Sequence, residues 1–401
     1  MKKILILSII ALLSIKVLAQ ESDSKSADYK NTAEKMLMRK QGLTIGGYGN
    51  VDYNQPIDAD FRQNGKLDVH RLVMLFGYHF NSKTSLITEI EYEHVKEVYI
   101  EQAFLNYRFN PKLNFRAGLM LVPMGIINEY HESPTLNGVE RPLIDKYLAP
   151  TTWREIGAGI TGNLPSMSMK YQAYIMNGFN GYDGSAKLSG KYGLRKGRQK
   201  GAESFSSSPN FTGKIEYYGV LGLNIGVSAY LGNTQSTLYD GIEKDNDQAL
   251  AQADSSVVGV KMIGMDARYQ NKGIQLKGQL YYTSLSNTEE YNAFTADNGQ
   301  VNDLGSSMLG YYVEAGYDIF HTNTNIESQL IPFIRYSNYD TQYTTEGAVV
   351  ANDNYARTVI TSGLSWKITH GSVLKADMQF LKSKAEEDFS KQFNMGIGFW
   401  F

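Results

Sequence analysis

The C-terminal segment alternates between apolar and polar or small side chains. One face carries Phe393, Met395, Ile397, Phe399 and Phe401, and the other carries Gln392, Asn394, Gly396 and Gly398. A period of two residues is that of a β-strand with one apolar face. The same alternation runs from Leu309 to Ile319 and from Ile274 to Tyr282. The fold therefore has to be built from strands that are apolar on one side only.

Sixteen segments carry this alternation or the composition typical of strands. We predict strands over residues 43–53, 66–79, 83–94, 98–109, 112–121, 153–162, 167–178, 210–218, 221–232, 256–269, 273–285, 307–320, 326–337, 355–368, 371–382 and 391–401. Most are close to the ~9–11 residues with which a tilted strand crosses a membrane.

The connections between these strands tend to alternate between short and long. Tight turns are predicted at Asn81-Ser82, Asn110-Pro111, Tyr218-Gly219, Asn271-Lys272 and His370-Gly371, and long polar loops near 122–152, 179–209, 233–254, 286–306 and 338–353. Short turns on one side and long loops on the other are typical of outer-membrane barrels. The sequence thus predicts an all-β fold, a transmembrane antiparallel β-barrel of about 16 strands with both ends on the periplasmic side. A soluble sandwich of two packed sheets is the alternative.

The composition agrees with a barrel and excludes several kinds of site. The chain has 28 Tyr, 17 Phe and 38 Gly, and its mean hydropathy of −0.33 is too polar for a bundle of membrane helices. The absence of cysteine excludes disulfides, a thiol nucleophile and a zinc–cysteine site. A formal net charge of −2 indicates no nucleic-acid partner.

The N-terminus has the features of a secretory signal. Lys2 and Lys3 precede an apolar stretch, and small residues follow near Ala19, where we expect cleavage. A membrane anchor helix is the alternative, but the apolar stretch is shorter than the ~20 residues that such a helix needs. We predict a signal peptide over 1–19, a periplasmic segment over 20–42 with a short helical piece near 33–40, and the barrel over 43–401. A disordered tail is the alternative for the second segment.

Several stretches resemble those of one porin family. Residues 102–119, followed by Val122-Pro-Met-Gly125, are similar to the strand–turn–strand that precedes the inward loop of the phosphate-selective porin O and P family. Residues 150–159 resemble the strand after that loop in Bacteroidota members, and residues 332–340 resemble a late strand. The C-terminal Phe401 is similar to the recognition signal of outer-membrane barrels. The motifs cover only these segments of the chain.

The resemblance implies a homotrimer of 16-stranded barrels. It also implies that the long third external loop, from Met124 to Trp153, folds into the pore. One departure concerns charge, because phosphate-selective members carry a strongly cationic pore path and this chain shows mixed charge.

The polar faces of the predicted strands give the side chains expected to line the pore. The basic ones are Arg71, Arg108, Arg116, Lys170, Lys214, Lys277, Arg335, Lys367 and Lys375, and the acidic ones are Glu89, Glu91, Glu216, Glu314 and Asp377. In one interpretation Arg71, Arg108 and Arg116 form a basic cluster that faces Glu314. In the other, these charges pair with one another and solvate the lumen. On the tenth strand Lys261 and Arg268 are an odd number of residues apart, so regular alternation places them on opposite faces. This predicts a bulge or a strand that extends above the membrane.

The third external loop carries the side chains expected at the constriction. These are Glu129, His131, Glu132, Glu140, Arg141, Asp145 and Lys146. The run Glu129-Tyr130-His131-Glu132 has the residue types of a metal site, but a histidine between carboxylates on a polar loop is more often solvated. We therefore expect neither a metal nor a cofactor.

The sequence predicts a porin in the bacterial outer membrane rather than an enzyme. Its solutes would be small and hydrophilic, with weak preference for anions because basic positions are in slight excess. The partners expected are outer-membrane lipid and the barrel-assembly machinery, which would read Phe401. The alternatives are a specific channel for phosphate or another anion, a barrel enzyme, and a plugged scaffold or adhesin. None of the six histidines lies in a nucleophile motif.

Overall fold

The computed structural model describes residues 29–38, 42–323 and 325–401. The predicted signal peptide lies outside the described residues. Sixteen antiparallel strands close into one barrel, in which each strand pairs with its sequence neighbours and the first pairs with the last. In chain order, β1 to β16 are Gly42–Ile57, Lys66–His79, Thr84–Glu93, Glu97–Asn110, Leu113–Leu121, Arg154–Leu164, Met169–Met176, Asn210–Val220, Leu223–Asn233, Gly259–Asn271, Ile274–Ser286, Ser307–Tyr317, Gln329–Thr344, Ala356–Thr369, Ser372–Ser383 and Ser390–Trp400.

The predicted barrel is confirmed, but two predicted connections are displaced. The eighth strand runs on to Val220, so the turn lies at Leu221-Gly222 instead of Tyr218-Gly219, and Gly222 takes the left-handed conformation (φ 76°) that favours glycine. The thirteenth strand continues to Thr344 instead of ending near 337. Its last residues are polar, because a strand that projects beyond the membrane has no lipid-facing side to make apolar.

The two faces of the barrel wall differ as the alternation requires. On β16, Met395, Ile397 and Phe399 are exposed on the outer surface, whereas Asn394 is fully buried on the inner one. Tilted strands that present apolar side chains outward and polar side chains inward fit a barrel with lipid outside and a polar interior. Within the described residues, no helix combines the length and apolar character needed to cross a bilayer.

The tenth strand settles the parity conflict between Lys261 and Arg268. Its pairing with β9 and β11 continues without a register shift, so the predicted bulge is wrong. Arg268 faces inward and is buried, and Lys261 is exposed on the outer face near the external end. A lysine on the outer face fits the second alternative, a strand whose external end rises above the membrane, where water solvates the charge.

Of the described segments that contact the inner face of the wall, two are important for the site below. The third external loop, residues 122–153 and called L3 below, contains the short helical turn Ile144–Tyr147 and packs Met124, Ile144, Leu148 and Trp153 into the interior. The second is the helix α1 (Thr32–Leu37), which lies close to the predicted piece near 33–40. Asn31 caps α1 by accepting a hydrogen bond from the Glu34 amide, and the Glu34 carboxylate accepts one from the Asn31 amide.

Candidate functional site

L3 is attached to strands on opposite sides of the barrel. On the late strands, the Val139 amide donates to Asp377 (2.7 Å), the Asn137 side chain donates to Glu314 (3.0 Å), and Lys375 donates to the Ser133 carbonyl (2.7 Å). All three wall residues were predicted to line the pore. Their side chains hold the loop by hydrogen bonds to its backbone and amide groups.

A ladder of charges crosses three neighbouring strands. Lys277, Glu314 and Arg335 lie directly opposite one another on β11, β12 and β13. Glu314 is 3.7 Å from Lys277 and 3.5 Å from Arg335, and Arg335 also donates to the Glu140 carbonyl of L3. These three side chains therefore pair with one another across the strands.

A second ionic cluster fixes the first part of L3. The Lys214 ammonium is fully buried and lies 2.8 Å from Glu129, 3.3 Å from Asp266 and 3.5 Å from Glu216. It also donates to the Gly125 carbonyl. Arg268 also lies 3.0 Å from Glu216, so Lys214 is the cation on which Glu129 and Asp266 of this Lys214 cluster depend.

A third cluster surrounds His131. Its Nε2 lies 2.9 Å from Glu101 and 3.2 Å from Glu89, and its Nδ1 faces the Asn128 carbonyl. Glu101 was missed from the sequence because it occupies a bulge: Glu89 pairs with Gln102 and the next residue pairs with Ile100. A bulge adds one residue to a strand and so shifts the alternation.

The ligand atoms of Glu89, Glu101 and His131 are close enough to share a metal ion, all lying within 4.8 Å of one another. The same carboxylates also stabilise a proton on the imidazole of His131. Burial alone would lower the pKa of His131, but the Glu101 and Glu89 carboxylates raise it to about 10. Four carboxylates (Glu89, Glu91, Glu93, Glu101) and three guanidinium groups (Arg71, Arg141, Arg154) line or adjoin this region, and a charged His131 balances them. Glu129 and Glu132 point elsewhere, to Lys214 and to the Thr32 amide.

We expect the contact between L3 and the wall at His131 to weaken at alkaline pH. Because the pKa is raised in the folded protein, the stabilisation is complete below the unfolded value of ~6.5 and is lost as the pH rises through about 10. Single-channel current noise should therefore increase between about pH 8 and 11. In the His131→Gln variant the current noise should already be high at about pH 8 and should change little up to about pH 11. Constant noise in the unmodified protein up to pH 11 would contradict the assignment.

A basic surface lies on the external side of L3, around a cavity of about 210 Å³. The residues that line it include Arg71, Arg141, Lys146, Arg154, Arg195, Arg198 and Lys200, together with Glu91, Glu93, Glu140 and Asp145. We call the seven basic residues the external basic cluster. Three of them come from the fourth external loop, residues 177–209, and Arg198 and Arg195 both donate to the Thr151 carbonyl, at 2.5 and 3.3 Å.

Three basic side chains of the fourth external loop have no counterion among the described residues, whereas Lys187 of the same loop lies 2.5 Å from Asp183. In the described part of the chain, no carboxylate lies within 4.0 Å of Arg195, Arg198 or Lys200. Burial, followed by repulsion from Arg195 and Arg154, lowers the pKa of Arg198 to about 9. Burial and the charge of Arg198 likewise lower the pKa of Lys200. An anion in the cavity would relieve both effects. The sequence signal was the basic run between Lys187 and Lys200, which has no acidic residue.

The predicted cluster of Arg71, Arg108 and Arg116 does not form. Arg71 borders the external cavity, whereas Arg108 and Arg116 line a cavity of about 830 Å³ at the periplasmic end, together with Lys170. Parity gives the face of a strand but not the height along the barrel axis, so residues that share a face can be separated by L3. Glu314 pairs with Lys277 and Arg335 and not with this group.

The other predicted residues have separate surroundings. Arg71 lies 3.0 Å from Glu91, Lys170 lies 3.9 Å from Glu34, and Arg141 donates to the His131 carbonyl. Glu140 accepts from Asn54, Lys146 is exposed, and Lys367 is half-buried. Asp145 is buried and accepts from Gln279 and Tyr281. Burial raises the pKa of the Asp145 carboxyl to about 7.

Known proteins resemble this chain over most of its length. A protein of Aquifex aeolicus (strain VF5), described as uncharacterized, is 32% identical over 391 residues, which is 94% of this chain and 84% of that protein. Among solved structures, the anion-selective porin from Comamonas acidovorans superposes with a TM-score of 0.53 at 14% identity, covering 90% of this chain and 99% of that one. Salmonella typhi OmpF in complex with daunomycin gives a TM-score of 0.56 at 13% identity, covering 90% and 97%.

At these identities the solved structures establish the fold only. The family is established by a sequence model described as phosphate-selective porin O and P, which matches residues 43–392. With a closed 16-stranded barrel, a polar interior and this match, the chain belongs to the phosphate-selective porin O and P family of outer-membrane porins.

Proposed function

We propose that this porin is a passive channel for small hydrophilic solutes and ions, with a preference for anions set at its external entrance. The observation that carries the preference is the external basic cluster. Its three charges from the fourth loop have no carboxylate within ion-pair distance in the described part of the chain, whereas Lys214 and Arg335 deeper in the barrel are paired. Uncompensated positive charges at a channel entrance raise the local concentration of anions and lower that of cations.

L3 supplies the size limit in this proposal. The wall residues that hold it come from β8, β12, β15 and other strands around the barrel, so the loop narrows the lumen from several sides. Liposomes that contain the protein should swell in sugars of low molecular mass and stop swelling as the sugar grows. Swelling that is independent of sugar size would contradict a constriction, and a lack of swelling in any sugar would favour a plugged scaffold or adhesin.

A specific phosphate or anion channel is the second candidate. The crowded guanidinium groups of Arg195 and Arg198 favour it, because planar donors bind phosphate or carboxylate oxygens well. Glu91, Glu93 and Glu140 line the same cavity and reduce its affinity for anions, which favours the general channel. Conductance that saturates with phosphate would support specificity, and a linear dependence would support simple diffusion.

The remaining parts of the proposal concern assembly. The protein is exported by a signal peptide, is inserted by the barrel-assembly machinery through Phe401, and forms a homotrimer in outer-membrane lipid. Phe401 closes the seam of the barrel, where it exchanges backbone hydrogen bonds with Gly47, and its side chain is exposed. No catalytic role is proposed, and hydrolysis of lipid or peptide by the purified protein would contradict this.

A further inference from the structure

The N-terminal segment formed by residues 29–38 crosses the periplasmic mouth of the barrel. At one end, Met36 packs against Gly46 and Gly77, and its carbonyl faces His79 at 3.1 Å. At the other end, the Tyr29 hydroxyl donates to the Gly222 carbonyl, beside β9. The wall contacted by Met36 belongs to β1 and β2, and the wall contacted by Tyr29 belongs to β9 and β10. In a ring of sixteen strands β2 and β10 are opposite one another, so the segment spans the opening.

The same segment is bound to the underside of L3. The Thr32 amide, at the start of α1, donates to Glu132 (2.7 Å), and Asn31 donates to the Glu129 carbonyl (2.9 Å). The Tyr130 hydroxyl donates to the Tyr29 carbonyl (2.9 Å). L3 and the N-terminal segment thus form one continuous structure across the lumen.

Arg268 of the wall completes this attachment. Its guanidinium lies 4.5 Å from the ring centre of Tyr29 and 4.1 Å from that of Tyr130. A cation between two aromatic faces is attracted to both, and the attraction grows when water is excluded. The aromatic pair therefore joins the N-terminal segment, L3 and β10 at one point.

The N-terminal segment divides the periplasmic opening into two cavities. One, of about 830 Å³, lies on the side of β3 to β8 and is bordered by Lys30, Glu34 and Met38. The other, of about 580 Å³, lies on the side of the turns that follow β8, β10 and β12 and is bordered by Tyr29. Solutes that pass L3 have to go around the segment on one side or displace it.

The attachment is of a kind that can be released. Only Ala33 and Met36 of the segment are buried apolar residues, with Leu37 partly buried beside them, and many of its other contacts are hydrogen bonds, ring contacts and the 3.9 Å pair of Glu34 with Lys170. The helix has six residues, far fewer than the ~12–15 that are marginally stable alone, so α1 depends on these contacts. Water and ions can replace each polar contact when the segment leaves.

We propose that residues 29–38 are a releasable plug, which narrows the periplasmic mouth when bound and widens it by leaving the barrel. The inference rests on the channel function proposed above. It assigns a gating role to a segment that contributes no strand to the closed barrel.

A disulfide between the plug and the wall tests this directly. A Cβ at position 77 would lie 3.3 Å from the Met36 Cβ, close to the ~3.5–4.5 Å between Cβ atoms of a disulfide. The chain contains no cysteine, so in the Met36→Cys, Gly77→Cys variant only this pair can form. The two single variants are the matched controls, and a variant that lacks residues 29–38 shows the channel without its plug.

Single-channel conductance in planar bilayers is the measurement. We expect the oxidised double variant to conduct steadily at its lowest level, with a rise of at least about twofold on addition of a reductant, and the deletion variant to match or exceed the reduced level. The single variants should not respond to the reductant. Equal conductance of the oxidised and reduced forms would overturn the plug, as would a deletion variant that conducts like the unmodified protein. Loss of conductance in every form, with the barrels folded, would overturn the proposed channel as well.

Discussion

Replacing Arg195, Arg198 and Lys200 together by glutamine should abolish the anion preference of the channel. These side chains bring three positive charges to the external cavity and have no carboxylate within 4.0 Å in the described part of the chain. Without them, the cavity has as many acidic as basic residues. The acidic ones are Glu91, Glu93, Glu140 and Asp145. The reversal potential across a salt gradient should move to near zero or change sign, and the shift should be larger at low ionic strength, where charges are less screened.

The matched control replaces Lys187, Lys191 and Lys196 by glutamine. These residues lie in the same loop but do not line the external cavity. Their replacement removes the same formal charge. Their loss should leave most of the anion preference in place. If both triple variants reduce the preference equally, selection depends on the overall charge of the external face and not on the external basic cluster.

Replacing Lys214 by methionine should destabilise the barrel strongly and release the first part of L3. The substitution keeps a long side chain but leaves Glu129 and Asp266 without their cation, whereas Glu216 keeps Arg268 at 3.0 Å. Removing one partner of a buried ion pair costs about 3–5 kcal/mol. We expect a lower denaturant midpoint in lipid and a noisier channel with higher conductance.

Lys261→Met provides the control for this variant. Lys261 lies on β10, the strand of Asp266, but is exposed on the outer face, and it forms no ion pair with any described residue. Its replacement should change the stability by less than ~0.5 kcal/mol, as is usual for surface positions. Adding Asp266→Asn to Lys214→Met should restore part of the loss, because it removes one of the uncompensated carboxylates. Equal stability of Lys214→Met and Lys261→Met would contradict the role of the Lys214 cluster.

The strands could be predicted from sequence because one physical constraint acts on every one of them. Lipid outside and water inside impose the alternation, and this gave strands such as β2 and β12 at the correct places. The alternation also assigned Lys214, Glu314 and Asp377 to the inner face, where they are buried. At the external end of β13 no lipid constrains the outer face, so the apolar alternation ends there. The predicted strand therefore ended too early.

The candidate site was harder to predict because it depends on where each residue lies along the barrel axis, on bulges in the strands and on the positions of loops. Arg71 and Arg116 share a face but lie at opposite ends of the lumen. Glu101 faces inward only because a bulge shifts the register of β4. Arg195 and Arg198 come from a loop whose position follows from contacts such as those with Thr151, which no periodicity reveals.

The most direct test of the central claim is the reversal potential of the purified protein in a planar bilayer across a potassium chloride gradient, with and without phosphate. A water-filled channel with the external basic cluster at its entrance should give steady conductance and a potential displaced toward that of the anion, and phosphate should reduce the chloride current. A correctly folded barrel that shows no conductance, or one whose potential is displaced toward that of the cation, would contradict the account.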